Sequence, residues 1–307
     1  MAADLVAVFS ASGRPGQAQV RQLRAQGYRV RPITRSRLAV FDGLEVTPAD
    51  LNDRASLQRA CDGVDAVLFT SPTFAQRDRG AEHAARLGEV AREAGVRRLV
   101  FNTTSWQPDK PIGVPSLDLG YYKTKALAET GVPLTVIRPS LFMDNLLTDW
   151  VKPELVRTGV FSYPHKEDLE VSWICLDDVA KFMVEALKHD DMVGQTVDVG
   201  GPETLRPGQV AERLGEALGR PVTYNRISPR EFGERMYEIF KGVSGQDRET
   251  YVSSLEKHYL FKNEHNPFFV PMEDTLRRLP VQLTPMRDWL KAQDWTLGKA
   301  LVGSVSG

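Results

Sequence analysis

The chain has 307 residues, of which 42% are hydrophobic and 26% are charged, and its formal net charge is −1. This length suits two lobes that share an interface, and the balanced charge gives no general attraction to nucleic acids or to lipid head groups. Cys61 and Cys175 lie far apart without metal-ligand spacing, which argues for a reducing compartment and against a disulfide framework or a metal site. The N-terminus lacks a basic segment, and no stretch approaches the ~20 apolar residues that span a bilayer. We therefore expect a cytoplasmic protein with no membrane or nucleic-acid partner.

Short apolar runs alternate with amphipathic segments through the first two thirds of the chain. We expect strands at residues 5–9, 28–34, 44–51, 65–70, 97–104 and 134–140. Helices are expected at residues 15–26, 55–61, 80–94 and 118–130. Apolar strands separated by helices predict βαβ units and a parallel sheet, and right-handed crossovers place helices on both faces. The sequence therefore predicts an α/β fold with a doubly wound parallel sheet, the Rossmann type.

The pattern becomes irregular after residue 140. Strands remain at 170–174 and 195–200, with a helix at 177–189 between them. A further strand is expected at 222–227, with helices near 207–218, 229–241 and 284–293. We interpret residues 1–140 plus 170–200 as the Rossmann domain. Residues 141–169 plus 201–307 would form a smaller, interleaved α+β lobe for substrate.

The first predicted strand runs directly into a glycine-containing turn and then a helix. The turn residues assigned to a cofactor are Ser10, Ser12, Gly13, Arg14, Pro15 and Gly16. In a strand–turn–helix of this kind, backbone amides and the helix N-terminus meet a pyrophosphate. Gly13 permits close approach of the backbone, Gly16 permits close helix–strand packing, and Pro15 fits the first helical turn. Ser10 replaces the first glycine of G-x-x-G-x-x-G, and the position after the first strand favours a dinucleotide over an ordinary tight turn.

The end of the second predicted strand distinguishes NADP(H) from NAD(H). A carboxylate there would accept from a ribose 2′-hydroxyl, whereas an arginine pairs with a 2′-phosphate. This strand ends in Arg35, with no carboxylate before Asp42. Arg14 in the glycine turn can add a second guanidinium to the same site. The sequence therefore favours NADP(H), and the alternative is that both arginines are solvated surface charges.

Several stretches, in their order and spacing, resemble the NmrA-like family of atypical short-chain dehydrogenases. They are SASGRPG, the ITR at the end of the second strand, the ADL after the third strand, EAGVRRLVFNTTS, GVPLTVIRPSLFMDNLL, LDDVAKFMVEAL and GGPETLRPGQVAERLGEALGRPV. The resemblance covers nearly the whole chain and implies a Rossmann lobe that binds NADP(H), with a variable C-terminal lobe over a substrate cleft. Members of the family are either reductases of quinones, aromatic enones or ethers, or redox sensors that bind the cofactor without turnover.

The resemblance also implies roles for individual residues. Asp50 and Leu51 would flank the adenine, and the next group would pass under the pyrophosphate and ribose: Thr70, Ser71 and Pro72. Thr103, Thr104 and Ser105 would face the nicotinamide, and residues from Pro139 to Phe142 would close its far side. Asn145 would hold the backbone of the second lobe. Asp178 is expected to cap a helix, since aspartate accepts well from N-terminal amides.

Tyr121 and Lys125 stand four apart in GYYKTKAL, the spacing of the short-chain dehydrogenase dyad. In such a dyad the lysine makes the tyrosine a stronger acid, and a hydroxyl such as that of Ser105 polarises the same substrate oxygen. Against this, a helix of residues 118–130 is about 20 Å long, which puts Lys125 near its middle and far from the cofactor end. Alignment with the family places Gly120 at the usual lysine position. We favour a partly solvated helix face and keep the catalytic dyad as the alternative.

Three further residues are candidates for contact with a substrate. Trp106 follows the Ser105 stretch and suits a pocket wall, and Phe142 lies opposite by the family resemblance. His165, in the loop FSYPHKED, can donate to a substrate oxygen, although a surface histidine is the simpler interpretation. A group of aromatic residues fits an apolar pocket and small-lobe packing equally well: Tyr237, Phe240, Tyr259, Phe261, Phe268 and Phe269.

These observations favour an NADPH-dependent reductase of a small aromatic, quinone or enone-like molecule. The alternative is a non-catalytic NADP(H) sensor that acts through a protein partner. A cofactor-free relative is a weaker third hypothesis, which rests on Ser10 alone. A homodimer is also possible, because the apolar tail can supply an interface.

Overall fold

The fold is built from twelve strands and eleven α-helices in the part of the chain that the computed structural model describes, residues 4–35, 41, 43–71, 79–242 and 244–297. The strands are β1 (Leu5–Phe9), β2 (Arg29–Thr34), β3 (Thr47–Pro48), β4 (Ala66–Thr70), β5 (Arg98–Asn102), β6 (Leu134–Pro139), β7 (Leu141–Phe142), β8 (Val160–Tyr163), β9 (Val171–Ile174), β10 (Thr196–Val199), β11 (Thr204–Leu205) and β12 (Thr223–Arg226). The helices are α1 (Arg14–Ala25), α2 (Arg54–Cys61), α3 (Gly80–Glu93), α4 (Pro115–Glu129), α5 (Lys152–Thr158), α6 (Leu176–Ala186), α7 (Pro207–Leu218), α8 (Pro229–Phe240), α9 (Arg248–His265), α10 (Glu273–Arg278) and α11 (Met286–Lys291).

Seven strands form one parallel sheet in the order β3-β2-β1-β4-β5-β6-β10, with helices on both faces. Side chains of β1 alternate between these faces, as the period of two in a strand requires. Val6 and Val8 enter the core that contains residues of α1 and α6. Ala7 and Phe9 enter the opposite core, which contains residues of α3 and α4. The predicted doubly wound α/β fold is confirmed.

The order of strands creates a switch point beside β1. From β1 the chain moves outward through β2 and β3, and then returns to β4 on the other side of β1. Connections that leave in opposite directions open a crevice at the carboxyl ends of the strands, where α/β proteins bind ligands. The turn after β1 and the loop after β5 lie at this end of the sheet.

The remaining strands form two small sheets next to the large one. Strands β7, β9 and β11 form a three-stranded sheet, and β8 pairs in parallel with β12. The sequence groups residues 171–174 with the Rossmann domain, but they pair outside the large sheet. Strand β10 does belong to the large sheet, where it pairs with β6, and α6 packs against α1. The domain division at 1–140 plus 170–200 stays a prediction.

Helix α9 is the largest element that the sequence did not indicate. It contains 18 residues, and Asp247 caps it by accepting from the amide of Thr250. It packs against α8 and also against α4 of the first lobe. The side chains of Ser116 and His258 join α4 to α9 through a 3.0 Å hydrogen bond. No helix in the described ranges has the length and apolar character needed to cross a bilayer.

Candidate active site

The turn after β1 has the backbone geometry expected of a phosphate cradle. The amide of Gly13 donates to the carbonyl oxygen of Ser10 at 3.0 Å, which closes the turn. A Cβ at Gly16 would lie 2.4 Å from the Ser10 oxygen, so only glycine fits where α1 crosses β1. Ser10 adopts φ +58°, a left-handed conformation that favours glycine. No side chain caps α1 in this structure, which leaves its N-terminus suited to an anion.

The two arginines proposed for a 2′-phosphate have different neighbours. Arg35 follows β2 and is exposed, and it acts electrostatically on Asp50. The pKa of Asp50 lies below its usual range, first because the backbone amide of Asn52 donates to it and to a smaller extent because of Arg35. Arg14 instead reaches Asp144 in the second lobe, with 3.3 Å between guanidinium nitrogen and carboxylate oxygen. A shared 2′-phosphate site of the two arginines stays a prediction.

Asp144 connects the glycine turn with the second lobe. Its second carboxylate oxygen accepts from the amide of Leu176 at 2.9 Å, at the N-terminus of α6. Burial raises the pKa of this carboxyl group in spite of these contacts. The cap predicted for Asp178 was wrong: Asp178 is fully buried and accepts from the amide of Thr284 and from Lys181, so it fixes the C-terminal segment.

Residues at or after the carboxyl ends of β2, β3 and β4 lie at the same end of the sheet as the turn. The hydroxyl oxygens of Ser12 and Thr34 lie 3.3 Å apart. The carbonyl of Leu51 accepts from Arg86 at 2.6 Å, and the hydroxyl of Thr70 accepts from the buried Gln19 at 2.8 Å. Ser71 is buried and Pro72 lies outside the described residues.

The loop after β5 presents Ser105 at the carboxyl end of the sheet. Thr104 has φ +65°, an outlier for a β-branched residue, and its amide donates to the Asn102 side chain at 2.8 Å. The Thr103 hydroxyl donates to the carbonyl oxygen of Ser105 at 2.7 Å. Strained backbone of this kind clusters at functional sites, because the surrounding structure must hold it in place. The strained Thr104 directly precedes Ser105 in this loop.

Aromatic and apolar groups flank this loop. The indole of Trp106 stacks on Phe261 of α9, with ring centroids 6.0 Å apart, and the Arg138 guanidinium lies 5.9 Å from the indole centroid. Pro139 is buried at the end of β6, where it pairs with Val199. Phe142 is half-buried and packs against the interface of α1 and α6.

A lysine that the sequence did not single out reaches Ser105 from the second lobe. Lys262 of α9 is only 2% exposed, and its Nζ donates to the Ser105 hydroxyl oxygen at 2.8 Å. Its ammonium also lies 4.5 Å from the ring centroid of Phe268. Burial lowers the pKa of Lys262 to about 7. One sequence feature could have indicated this lysine: it ends the run YLFK. Aromatic residues next to a lysine are less common on a helix face that is fully exposed to solvent, so the run suggests a partly buried lysine.

His165 is not a surface residue, so the simpler sequence interpretation was wrong. It is 1% exposed and its ring lies among aromatic rings of the second lobe, those of Tyr163, Trp173, Tyr259 and Phe268. Its Nε2 atom has no hydrogen-bond partner in this structure. Burial, and then the charge of Lys262, lower the pKa of His165 to about 3. Its predicted contact with a substrate has no support from this position, and it stays a prediction.

Tyr121 and Lys125 both lie on α4. Lys125 is half exposed and forms a 3.0 Å ion pair with Glu129, and this hydrogen bond raises its pKa. The ring of Tyr121 contacts Tyr122 edge-on. A Cβ at Gly120 would lie 2.6 Å from the side-chain oxygen of Gln107, so α4 has no room for a lysine there. The dyad stays a prediction, and Lys125 has another partner.

Comparison with known proteins identifies the family of this chain. The profile of the NmrA-like family matches residues 2–290. The chain belongs to this family. Among curated relatives of this NmrA-like protein, an NAD(P)H azoreductase of Xenophilus azovorans is 31% identical over 209 residues, which cover 67% of this chain and 70% of the azoreductase.

Two solved structures share the fold of this NmrA-like protein over nearly its whole length. The NADPH complex of a quinone oxidoreductase from Escherichia coli has a TM-score of 0.74 at 20% identity, covering 93% of this chain and 98% of the other. The NAD complex of NmrA, a negative transcriptional regulator, has a TM-score of 0.75 at 19% identity, covering 97% and 100%.

Proposed function

We propose that this protein is an NADPH-dependent reductase that transfers hydride to a small aromatic, quinone or enone-like acceptor. The observation that carries the proposal is the placement of the turn at residues 10–16 and of Ser105 at the same end of one parallel sheet, beside its switch point. A nucleotide held at the turn and an acceptor at Ser105 would then share one crevice. We place this reaction in the cytoplasm.

The residues of the turn fit a dinucleotide. Gly16 lies where any Cβ would meet the backbone, and the uncapped N-terminus of α1 suits a pyrophosphate. Arg35 would pair with a 2′-phosphate, and Asp50 and Leu51 would flank the adenine. When bound, reduced nicotinamide supplies the hydride. The azoreductase of Xenophilus azovorans and the quinone oxidoreductase of Escherichia coli support a reductase, and the Trp106–Phe261 pair supports an aromatic acceptor.

Fluorescence titration with NADPH, NADP⁺ and NADH tests the cofactor. We expect NADPH to bind at least about tenfold more tightly than NADH, since a charge-assisted pair with phosphate contributes roughly 1.5–3 kcal/mol. Arg35→Ala should remove this preference, whereas Arg277→Ala, an exposed arginine of α10, should retain it. Failure of all three nucleotides to bind at millimolar concentration would refute the proposal.

A second measurement follows NADPH oxidation with quinones and enones as acceptors. Turnover that needs both NADPH and the acceptor supports the reductase.

A redox sensor is the second candidate, favoured by the engagement of Lys125 with Glu129 and by the likeness to the NmrA regulator. It predicts a marked preference for one oxidation state of the nucleotide, with no turnover of any acceptor. A protein partner or a homodimer belongs to this candidate, and size-exclusion chromatography with light scattering tests the homodimer.

A further inference from the structure

The ammonium of Lys262 is buried beside the hydroxyl group of Ser105. Within the described ranges, no carboxylate forms an ion pair with Lys262, and its only hydrogen bond goes to Ser105 at 2.8 Å. An unpaired buried ammonium is costly, and a methionine would occupy similar space at lower cost. Packing alone therefore gives no reason for a lysine at this position.

Several contacts fix where the ammonium lies. Asn263, the next residue of α9, donates to the carbonyl of Pro164 at 2.7 Å and accepts from the amide of Lys166 at 3.1 Å. The Ser116–His258 hydrogen bond holds α9 against α4 one turn before Lys262. These contacts hold α9 in place, and with it the position of Lys262 next to the loop after β5.

The hydroxyl of Ser105 is oriented to pass a proton onward. Its oxygen accepts from Lys262, and no other hydrogen bond of this oxygen is present in the described part of the chain. Its own proton is therefore free to point elsewhere. Ser105 is partly exposed whereas Lys262 is buried behind it, so an acceptor can reach the hydroxyl but not the amine.

We propose that Lys262 and Ser105 form a proton relay that serves carbonyl, quinone or enone oxygens of the acceptor. As the acceptor carbon receives hydride, the electron pair of its double bond moves onto oxygen. The Ser105 hydroxyl donates its proton to that oxygen, and the Lys262 ammonium donates a proton to Ser105. After the product leaves, the neutral amine recovers a proton from solvent through the partly exposed Ser105 hydroxyl. This inference rests on the proposed reductase function.

The surroundings of Lys262 suit a donor at neutral pH. The polar groups that face it from other elements are Ser105 after β5 and His165 after β8, and burial keeps His165 neutral. On α9 itself, His258 is bonded to Ser116 and Tyr259 contacts the His165 ring. Because burial lowers the pKa of Lys262 to about 7, both of its protonation states are populated near neutral pH. The acid form is lost as pH rises, so the relay predicts that kcat falls above pH 7.

The relay also selects a class of acceptor. A positive charge next to Ser105 favours an acceptor whose oxygen becomes negative and disfavours a cationic acceptor. A cationic triphenylmethane dye such as crystal violet becomes neutral when hydride adds to its central carbon and needs no proton. Reduction of the dye therefore serves as a matched reaction in which the relay has no role.

The test compares Lys262→Met with Lys257→Met, an exposed lysine of the same helix. The acceptors are 1,4-naphthoquinone, 2-cyclohexen-1-one and crystal violet, each with saturating NADPH. We expect Lys262→Met to lower kcat for the best oxygen acceptor at least about 100-fold and to remove its fall above pH 7. Reduction of crystal violet should change less than about threefold or increase. Lys257→Met should match the wild type, and Ser105→Ala should lose oxygen acceptors in the same way as Lys262→Met.

A readout without turnover is the titration of lysine εCH₂ groups by NMR in protein labelled with ¹³C-lysine. We expect one resonance, missing from Lys262→Met and present in Lys257→Met, with a midpoint near pH 7. A midpoint above pH 9 overturns the relay, as does Lys262→Met activity equal to wild type across pH 6–9. If the wild type reduces no oxygen acceptor, the proposed function and the relay both fall. If the wild type reduces oxygen acceptors and Lys262→Met and Ser105→Ala do so equally well, the relay is refuted and the proposed reductase function is retained.

Discussion

Replacing Lys262 by methionine removes a buried amine while keeping an unbranched side chain of similar length. Burial lowers the pKa of Lys262 from its ordinary value of 10.5 to about 7. The unfolded chain therefore holds a proton on this lysine up to pH 10.5, whereas the folded protein releases it near pH 7. Folding at intermediate pH releases a proton, so the free energy of unfolding rises with pH in this interval. The destabilisation is complete below pH 7 and disappears above pH 10.5.

The size of the effect follows from the two pKa values. Each pKa unit corresponds to 1.36 kcal/mol, so the charged lysine destabilises the fold by at most about 5 kcal/mol at low pH. Between pH 7 and pH 9 the wild type should gain about 2 kcal/mol of stability from this residue. Methionine loses the hydrogen bond to Ser105, which is worth about 1 kcal/mol. We therefore expect Lys262→Met to be more stable than the wild type at pH 7, by about 3 kcal/mol.

Urea unfolding followed by circular dichroism at pH 7, 8 and 9 measures these differences. The stability difference between the wild type and Lys262→Met should shrink as pH rises, because only the wild type gains stability from this residue. Lys257→Met, on the solvated face of α9, should follow the wild type. Wild-type and Lys262→Met curves that stay parallel from pH 7 to pH 9 would show that Lys262 keeps an ordinary pKa, and the reasoning would be refuted.

Three further variants test other parts of the structure. Ser10→Gly should raise the melting temperature, because φ +58° costs a serine roughly 1–2 kcal/mol, whereas Ser12→Gly should not; equal effects would contradict the assigned strain. Gly120→Ala should lower the free energy of unfolding by roughly 1–3 kcal/mol in thermal melts, since its Cβ would lie 2.6 Å from the Gln107 oxygen. That loss should shrink in a Gln107→Gly background, which removes the side-chain oxygen at 2.6 Å and also the Gln107 Cβ at 2.8 Å; a loss that persists there would argue against the contact. His165→Phe should resist acid better than the wild type: burial lowers the pKa of His165 from 6.5 to about 3, so stability present above pH 6.5 is lost as pH falls towards 3. Identical acid unfolding of the two proteins would contradict this.

The sequence predicts the large sheet well because its strands carry the signal that burial on both faces produces. Apolar runs such as that of β1, followed by a turn in which Gly16 has no room for a Cβ, are local features and appear directly in the order of residues. The fold class and the position of the nucleotide turn depend on such features. The family resemblance then indicated where the second lobe begins, in the stretch GGPETLRPGQVAERLGEALGRPV.

Helix α9 shows why the C-terminal part of the candidate site could not be predicted from the sequence. Its buried side chains mix polar and apolar types, namely Tyr251, Val252, Tyr259, Lys262 and Asn263. No apolar stripe forms when a lysine and an asparagine occupy interior positions, so the periodicity that identifies a helix is absent. The Lys262–Ser105 contact joins residues 157 positions apart, and only the tertiary structure brings them together. The spacing of Tyr121 and Lys125, by contrast, is visible in the sequence and resembles a known motif. In the structure Lys125 pairs with Glu129.

The split origin of Ser105 and Lys262 has a consequence for synthesis of the chain. Ser105 and the strands of the large sheet leave the ribosome first, and the amine follows only when α9 has been made. A nascent chain that has completed β10 already has its glycine turn, but the hydroxyl after β5 has no ammonium beside it. Under the proposed relay, the proton donor is therefore the last part of the site to arrive, when α9 packs against α4.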